Sequence, residues 1–259
     1  SSNLNSLVSN SGCIYSSFYC LSYCLIDFLV NKEYNSTIDV LKGLTIMDKN
    51  LQEIIRIRED RMIKAFNQNN MQITFVENFE QLHNYLKRYL SNQKTVSLGG
   101  SMTLFETGVI DLIKESDVVY NDRYQEGLSR EELNDVFKKA FTSDIFITST
   151  NALTTDGHLY NIDGTGNRVA AMIYGPKEVI VVAGKNKVFE TEAEAINHIK
   201  TISAPANAVR LNKKTPCAKT GECKNCLSAD RICSSYVKLG YQVNADRIKV
   251  IIVNEDLGY

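Results

Sequence analysis

The sequence predicts an α/β protein, a three-layer αβα arrangement in which helices cover both faces of a mostly parallel β-sheet. Short apolar runs typical of strands recur along the chain, and segments with helical periodicity of about 10 to 15 residues separate them. A length of 259 residues and a hydrophobic fraction of 44% are sufficient for one large domain with a buried core.

The elements of the first half follow from periodicity and capping signals. In residues 48–69 apolar side chains recur every three or four positions, which indicates an amphipathic helix. Ser129 and Glu132 form a capping box that indicates the start of another helix. The predicted elements of this half are helix 48–69, strand 71–76, helix 79–90, strand 95–98, helix 102–115, strand 117–120 and helix 129–141.

The second half continues the alternation. Residues 179–183 and 248–253 are continuous apolar runs, as expected of buried strands. Thr191 and Glu194 form a second capping box. The predicted elements are strand 144–149, a turn at 155–157, strand 158–162, a helix that starts around 166–168, strand 179–183, helix 191–202 and strand 248–253.

Composition and the first 46 residues limit the choice of partners and location. The 29 Lys and Arg residues balance 30 Asp and Glu residues, so no electrostatic argument favours nucleic acid. Residues 14–30 are too short and too polar to span a membrane, and no basic residue precedes them as in a secretory signal. We therefore expect a cytoplasmic protein with a domain at 47–259 and an extension of unassigned role at 1–46.

Two glycine-containing turns at predicted strand ends are candidate anion sites. In residues 97–103 paired glycines precede hydroxyl residues at the start of a helix, where backbone N–H groups favour an anion. In residues 161–168 two glycines lie between Asp163 and Arg168, and a guanidinium can bind a carboxylate or phosphate. Glu106 lies one turn into the predicted helix 102–115, which follows the first of these glycine turns, and could reach the same candidate anion site. Ordinary strand–helix joints and a surface arginine remain the alternative interpretation.

Four cysteines near the C-terminal end form the sharpest motif. They have the spacing C-x5-C-x2-C-x6-C within a loop at 213–235, and they are Cys217, Cys223, Cys226 and Cys233. Four thiolates within a short segment suit an iron–sulfur cluster or zinc. We favour an iron–sulfur cluster of the 4Fe–4S type and keep zinc as the alternative. Disulfides are not expected, because the sequence carries no convincing export signal.

Several runs carry a resemblance to a known family. They are Ser-Leu-Gly-Gly-Ser-Met-Thr-Leu-Phe-Glu-Thr-Gly at 97–108, Thr-Ser-Thr-Asn-Ala at 148–152, Asn-Ile-Asp-Gly-Thr-Gly-Asn-Arg at 161–168, Ser-Ala-Pro-Ala-Asn-Ala at 203–208, and the segments around 215–217 and 230–233. With these runs, residues 47–259 resemble the LUD-domain family of LutC/YkgG-like lactate-utilization proteins, in its cysteine-bearing subgroup. The family is similar in fold to the sugar-phosphate isomerase and CoA-transferase (NagB/RpiA) group.

The resemblance implies a site and a function. In the related fold group the glycine-rich strand–helix turn binds a substrate phosphate or carboxylate. The implied catalytic residues are Glu106, Asp163 and Arg168, and the implied ligand-binding residues are Gly99, Gly100, Ser101, Thr103, Asn151, Gly164 and Asn167. LutC-like members are associated with oxidation of L-lactate to pyruvate beside iron–sulfur partner proteins.

The leading hypothesis is a redox-associated protein that binds a small anionic metabolite, such as lactate, together with a cluster at the four cysteines. A second hypothesis is a non-catalytic accessory or regulatory subunit that docks on an iron–sulfur oxidoreductase and carries a structural zinc or cluster. A third is an isomerase or acyl transferase with Glu106 or Asp163 as base or nucleophile. A homo-oligomer is compatible with all three.

Overall fold

The computed structural model describes residues 48–259. The chain divides into two units between Ile54 and Ile55, and the second unit, Ile55–Tyr259, is compact. The predictions for the first 46 residues lie outside the described part. None of the helices between residues 48 and 259 combines the length and the apolar character that crossing a membrane requires.

A six-stranded sheet forms the centre of the second unit. Its strands are β1 (Gln72–Val76), β2 (Lys94–Leu98), β3 (Val118–Asn121), β4 (Ile145–Thr148), β7 (Glu178–Gly184) and β10 (Ile248–Val253). Their spatial order is β1-β10-β7-β4-β2-β3, and every neighbouring pair is parallel. All carboxyl ends therefore lie at one edge of the sheet.

One described helix precedes the first strand, and the others lie in the connections between strands. They are α1 (Lys49–Gln68), α2 (Phe79–Leu86), α3 (Met102–Glu106), α4 (Val109–Lys114), α5 (Arg130–Lys139), α6 (Asn167–Tyr174), α7 (Glu192–His198), α8 (Ala204–Arg210) and α9 (Pro216–Thr220). Both predicted capping boxes form at the starts of α5 and α7, with each cap hydroxyl accepting from the backbone N–H three residues later.

The central strands are buried on both faces, which explains their continuous apolar runs. In β7, Ile180 and Val182 pack into one cluster with side chains of α2, α3 and α4. The alternate residues Val179 and Val181 pack into a second cluster with α6 and with the C-terminal half of α1. Since successive strand residues point to opposite faces, the two clusters are the two interfaces of a three-layer αβα fold. The predicted fold class is confirmed.

A second sheet of four strands was not anticipated. Its strands are β5 (Ala152–Thr154), β6 (His158–Asp163), β8 (Val188–Phe189) and β9 (Ser235–Leu239), in the order β8-β5-β6-β9. Strand β6 matches the predicted strand 158–162 but pairs antiparallel with β5 and β9 outside the main sheet. Leu153 and Leu159 pack toward the central sheet, whereas Ala152 and Tyr160 pack with residues of α7.

Two predicted helices differ from the structure. The helix predicted over 79–90 ends at Leu86, although Leu90 is still buried in the core. The helix predicted over 102–115 is divided into α3 and α4 at Gly108, whose φ of 67° is left-handed. Such a φ is readily adopted by glycine and interrupts the regular helix without changing the apolar periodicity.

Candidate functional site

A cleft of about 760 Å³ opens at the carboxyl ends of four neighbouring strands, β7, β4, β2 and β3. Its floor comes from the segments that follow these strands, among them Gly100, Ser149, Lys187 and Arg123. Residues of α5, of α8 and of the cysteine-bearing loop form the opposite wall. Ligands of open α/β sheets gather at this edge, so the location is that of a binding site.

The lining of the cleft is strongly cationic. Seven basic side chains contribute to it, and they are Arg123, Arg130, Arg168, Lys187, Arg210, Lys213 and Arg231. Asp163 is the one acidic side chain among the described lining residues. The whole chain has a formal charge of −1, so the positive charge is a local property of the cleft. A cavity whose lining carries such an excess of positive charge attracts anions.

Arg168 is a buried side chain of the cleft lining that links several segments of the chain. It begins the buried face of α6 and is only 8% exposed. Its guanidinium donates to the carbonyl oxygens of Ser149 at 2.9 Å and Ile162 at 3.2 Å. It also donates to Oδ1 of Asn161 at 2.7 Å and of Asn151 at 2.8 Å. The side chain therefore links the end of β4 to β6. Its NH1 and NH2 groups donate to acceptors of the protein rather than to a ligand.

The carboxylate of Asp163 is likewise occupied by contacts within the protein. Its Oδ2 accepts from the backbone N–H of Val169 at 3.2 Å and lies 3.7 Å from Nε of Arg168. Its Oδ1 accepts from the N–H of Gly164 at 3.1 Å. The carboxylate thus satisfies N–H groups at the start of α6 and faces the buried guanidinium, two roles that hold the turn in place.

Lys187 is a second buried cation in the cleft. It ends a 3₁₀ turn, Lys185–Lys187, directly after β7 and is 2% exposed. Its Nζ donates to Oγ1 of Thr103 at 2.9 Å and to Oγ of Ser149 at 3.2 Å, and both partners are neutral. Burial lowers the pKa of Lys187 to about 7, and the nearby positive charge of Arg168 acts in the same direction.

Three further side chains of the cleft contain buried polar atoms that are unpaired within residues 48–259. They are Nε of Arg123, the hydroxyl of Tyr124 and Oγ of Ser203. The rings of Phe137 and Tyr124 hold the Arg123 guanidinium, 4.7 Å and 5.4 Å from its central carbon. Ser203 ends a π-helical turn, Ile199–Ser203, a conformation that often marks functional sites. Unpaired buried donors of this kind are suited to a polar ligand.

The structure brings together most of the residues that the sequence singles out. Seven of the ten predicted site residues line the cleft, and they are Gly100, Ser101, Asn151, Asp163, Gly164, Asn167 and Arg168. Thr103 lies behind the lining and accepts from Lys187. Gly99 lies against β4, where an added Cβ would come within 2.2 Å of Oγ1 of Thr148. The catalytic and binding roles of these residues stay predictions.

Glu106 does not line the cleft. It is exposed, is not among the lining residues, and accepts from the backbone N–H of Gly258 at 2.6 Å. The geometry consequently offers no support for Glu106 as a catalytic carboxylate. The sequence interpretation had instead missed Lys187 and Arg123, both of which follow the carboxyl end of a central strand.

The four cysteines of the loop face one small cavity. Pro216 occupies the first turn of α9, Gly221 ends that helix with a φ of 74°, and Asn225 is also left-handed with a φ of 47°. These turns bring Cys217, Cys223, Cys226 and Cys233 to the lining of a cavity of about 10 Å³. All four are free thiols. Nevertheless, no three His, Cys, Asp or Glu side chains within the described range 48–259 are close enough to hold one metal ion.

The cysteine cavity adjoins the large cleft. Ala204, Arg231 and Ile232 line both cavities. Asp230 holds the loop beside the cleft by accepting from Nζ of Lys213 at 3.0 Å and from the backbone N–H of Lys214 at 2.6 Å. The two candidate sites are therefore separated by a wall only one residue thick in places.

Fold and site together define a three-layer α/β protein with a cation-lined cleft at the carboxyl ends of its parallel strands. The sequence profile of the LUD domain matches residues 59–253. The chain belongs to the LUD-domain family, and by that membership it is a lactate-utilization-type protein. No curated protein sequence matches the chain.

The chain is similar to several solved structures, among them the two that follow. A DUF162 family protein from Deinococcus radiodurans has 18% sequence identity and a TM-score of 0.43, with 78% of this chain and 97% of that chain covered. The delta subunit of eIF2B from Chaetomium thermophilum has 16% identity and a TM-score of 0.31, with 57% of each chain covered. Neither similarity carries information about the site.

Proposed function

We propose that the protein binds a small anionic 2-hydroxy acid, such as lactate, in the cation-lined cleft. The observation that carries this proposal is the excess of seven basic side chains over one carboxylate in the cleft lining. The lactate-utilization family supports a hydroxy acid as the ligand class. Because Asp163 is occupied at the start of α6, little negative charge opposes an incoming carboxylate.

Arg123 is the best candidate to contact the carboxylate. Its side chain lines the cleft, and its Nε is buried and unpaired within the described part. The N–H of its NH1 group makes only a long contact of 3.4 Å to the carbonyl oxygen of Leu98. In contrast to Arg168, this guanidinium has donors available for a ligand. The stacked rings of Phe137 and Tyr124 fix its plane before the ligand arrives.

We expect Arg123→Gln to weaken binding of lactate, pyruvate and inorganic phosphate by about 10-fold or more. A hydrogen bond to a charged group contributes about 1.5 to 3 kcal/mol, and about 1.4 kcal/mol is a factor of ten in affinity. Isothermal titration calorimetry of the full chain at low ionic strength measures the effect. Higher salt should weaken binding of all three anions, because screening reduces the attraction.

The matched control is Lys138→Gln, which removes an equal charge from an exposed ion pair with Asp135 on the outer face of α5. This variant should bind the anions as the wild-type protein does. The proposal fails if no anion binds to the wild-type protein. It also fails if the two variants weaken binding equally, since the effect would then come from net charge alone.

We further propose that Cys217, Cys223, Cys226 and Cys233 hold an iron–sulfur cluster. Four thiolates are a complete ligand set for such a cluster, and all four side chains line one cavity. Binding of a cluster would require the loop to bring the thiols closer together than they lie in residues 48–259 of this structure. A cluster at this position would supply one-electron redox chemistry beside the hydroxy acid, across the wall formed by Ala204, Arg231 and Ile232.

Structural zinc is the second candidate, and the size of the cavity favours it. A volume of about 10 Å³ holds roughly one water-sized sphere. A single tetrahedral ion thus needs less rearrangement of the loop than a cluster of several atoms. In that case the metal would stabilise a loop too small to bury a core of its own.

Metal and sulfide analysis of anaerobically purified full chain separates the two candidates. Iron with acid-labile sulfide supports the cluster, whereas zinc without sulfide supports the structural ion. Cys226→Ser should lose most of the bound metal, because each ligand of a four-coordinate site is needed. Cys20→Ser, in the extension, is the matched control and should retain it. Equal metal content in the two variants would rule out this loop as the site.

A further inference from the structure

Lys187 has a chemical environment that anion binding alone does not require. The side chain lines the cleft and yet is 2% exposed, in the same range as the apolar core. Its ammonium forms no ion pair with a carboxylate in the described part of the chain, and its hydrogen-bond partners are the hydroxyls of Thr103 and Ser149. A buried lysine without a carboxylate partner is unusual, because burial of an uncompensated charge is costly.

The surroundings favour the neutral amine. Burial, followed by the charge of Arg168, lowers the pKa of Lys187 to about 7, and Glu106 opposes this shift only in part. Near neutral pH a large fraction of this lysine therefore carries a free electron pair on Nζ. Lysines desolvated in this way and placed near another cation act as nucleophiles toward carbonyl carbon.

The cleft also contains the groups that would orient a carbonyl compound. Arg123 and Arg210 line the same cavity and are suited to a carboxylate. Ser149, which lines the cleft, lies within hydrogen-bond distance of Nζ and could donate to a carbonyl oxygen or accept from water, while Thr103 accepts from Nζ behind the lining. A small 2-oxo acid carries both functions, a carboxylate and an adjacent ketone.

We propose that Lys187 captures a small 2-oxo acid in the cleft by forming an imine between Nζ and the keto carbon. Nζ bonds to the carbonyl carbon, and the carbonyl oxygen leaves as water with both amine hydrogens. No electrons are gained or lost. The inference rests on the proposed binding of carboxylates in the cleft, but it assigns a covalent function that hydroxy-acid binding does not include.

Borohydride trapping tests the imine. The full chain is incubated with pyruvate near pH 7.5 and treated with sodium cyanoborohydride, which reduces the C=N bond to a stable secondary amine. Intact mass spectrometry and peptide mapping then locate the adduct. We expect one adduct per chain, on Lys187. Lys185 lies on the same turn and is exposed, so it is an internal control and should carry about 10-fold less adduct.

Two further measurements distinguish the inference from the anion-binding proposal. Lys187→Arg should abolish the adduct, because a guanidinium does not form an imine with a ketone under these conditions, and calorimetry of the wild-type protein measures pyruvate binding separately. Propionate, which has a carboxylate but no ketone, should protect Lys187 from trapping by competition without forming an adduct. If pyruvate binds but Lys187 carries no more adduct than Lys185, the imine is excluded and the binding function stands. If pyruvate does not bind, both proposals fail.

Discussion

Replacing Arg168 with alanine is expected to destabilise the protein by about 3 to 5 kcal/mol, the cost of breaking a buried charged network. The guanidinium is 8% exposed and satisfies four oxygen acceptors at the junction of β4, β6 and α6. Truncation would remove these four hydrogen bonds and leave the half-buried Asp163 carboxylate without its neighbouring positive charge. Because a buried unsatisfied group costs about 1 to 3 kcal/mol, the loss should be far larger than the average effect of a substitution.

Urea unfolding of the full chain, followed by far-ultraviolet circular dichroism, measures this loss. Arg130→Ala is the matched control, because Arg130 also lines the cleft but is exposed at the start of α5. The control should change the free energy of unfolding by about 0.5 kcal/mol or less. A similar small loss for Arg168→Ala would mean that the junction is held by the packing of β4 and β6 rather than by the guanidinium.

Replacing Lys187 with methionine should remove a large pH dependence of stability. The unfolded chain holds the lysine proton up to the ordinary value of 10.5, whereas the folded protein releases it at about 7. Between these values unfolding takes up a proton, so lowering the pH from 10.5 to 7 destabilises the folded state. The full span corresponds to about 5 kcal/mol, and below pH 7 the contribution is constant.

The measurement is the free energy of unfolding at pH 7 and pH 9.5, in wild type and variant. The wild-type protein should gain about 3 kcal/mol more than Lys187→Met over this interval. Arg168, Glu106 and His198 interact electrostatically with Lys187 and must be unchanged in the comparison. Lys185→Met, which alters an exposed neighbour, should retain the wild-type slope. Parallel pH profiles for wild type and Lys187→Met would show that Lys187 stays charged when buried.

The sequence predicts the central layer of the fold well, because β7 and β10 are continuous and mostly apolar runs of seven and six residues, and helical segments separate the shorter strands. Strands β5 and β8 contain three and two residues, too few for a periodic pattern to be recognised. The division at Gly108 was missed for a different reason. Apolar positions continue from α3 into α4 with the same spacing, and only the left-handed glycine marks the break.

The candidate site was predicted in outline, from glycines and polar residues that follow strands. What the sequence does not indicate is whether a basic side chain points into the protein or into solvent. Arg168 was expected to bind a ligand, whereas its donors are used by the protein itself. Lys187 had no motif around it. Its one signal was its position, three residues beyond the β-branched strand β7, at the edge where ligands gather.

The thin wall between the cysteine cavity and the cleft has a thermodynamic consequence. Ala204, Arg231 and Ile232 belong to both surfaces, so a shift of this wall alters two binding equilibria at once. Any factor by which a metal-loaded loop changes the affinity for an anion must equal the factor by which the anion changes the affinity for the metal. Metal retention measured with and without a saturating anion would therefore report the coupling energy of the two sites directly.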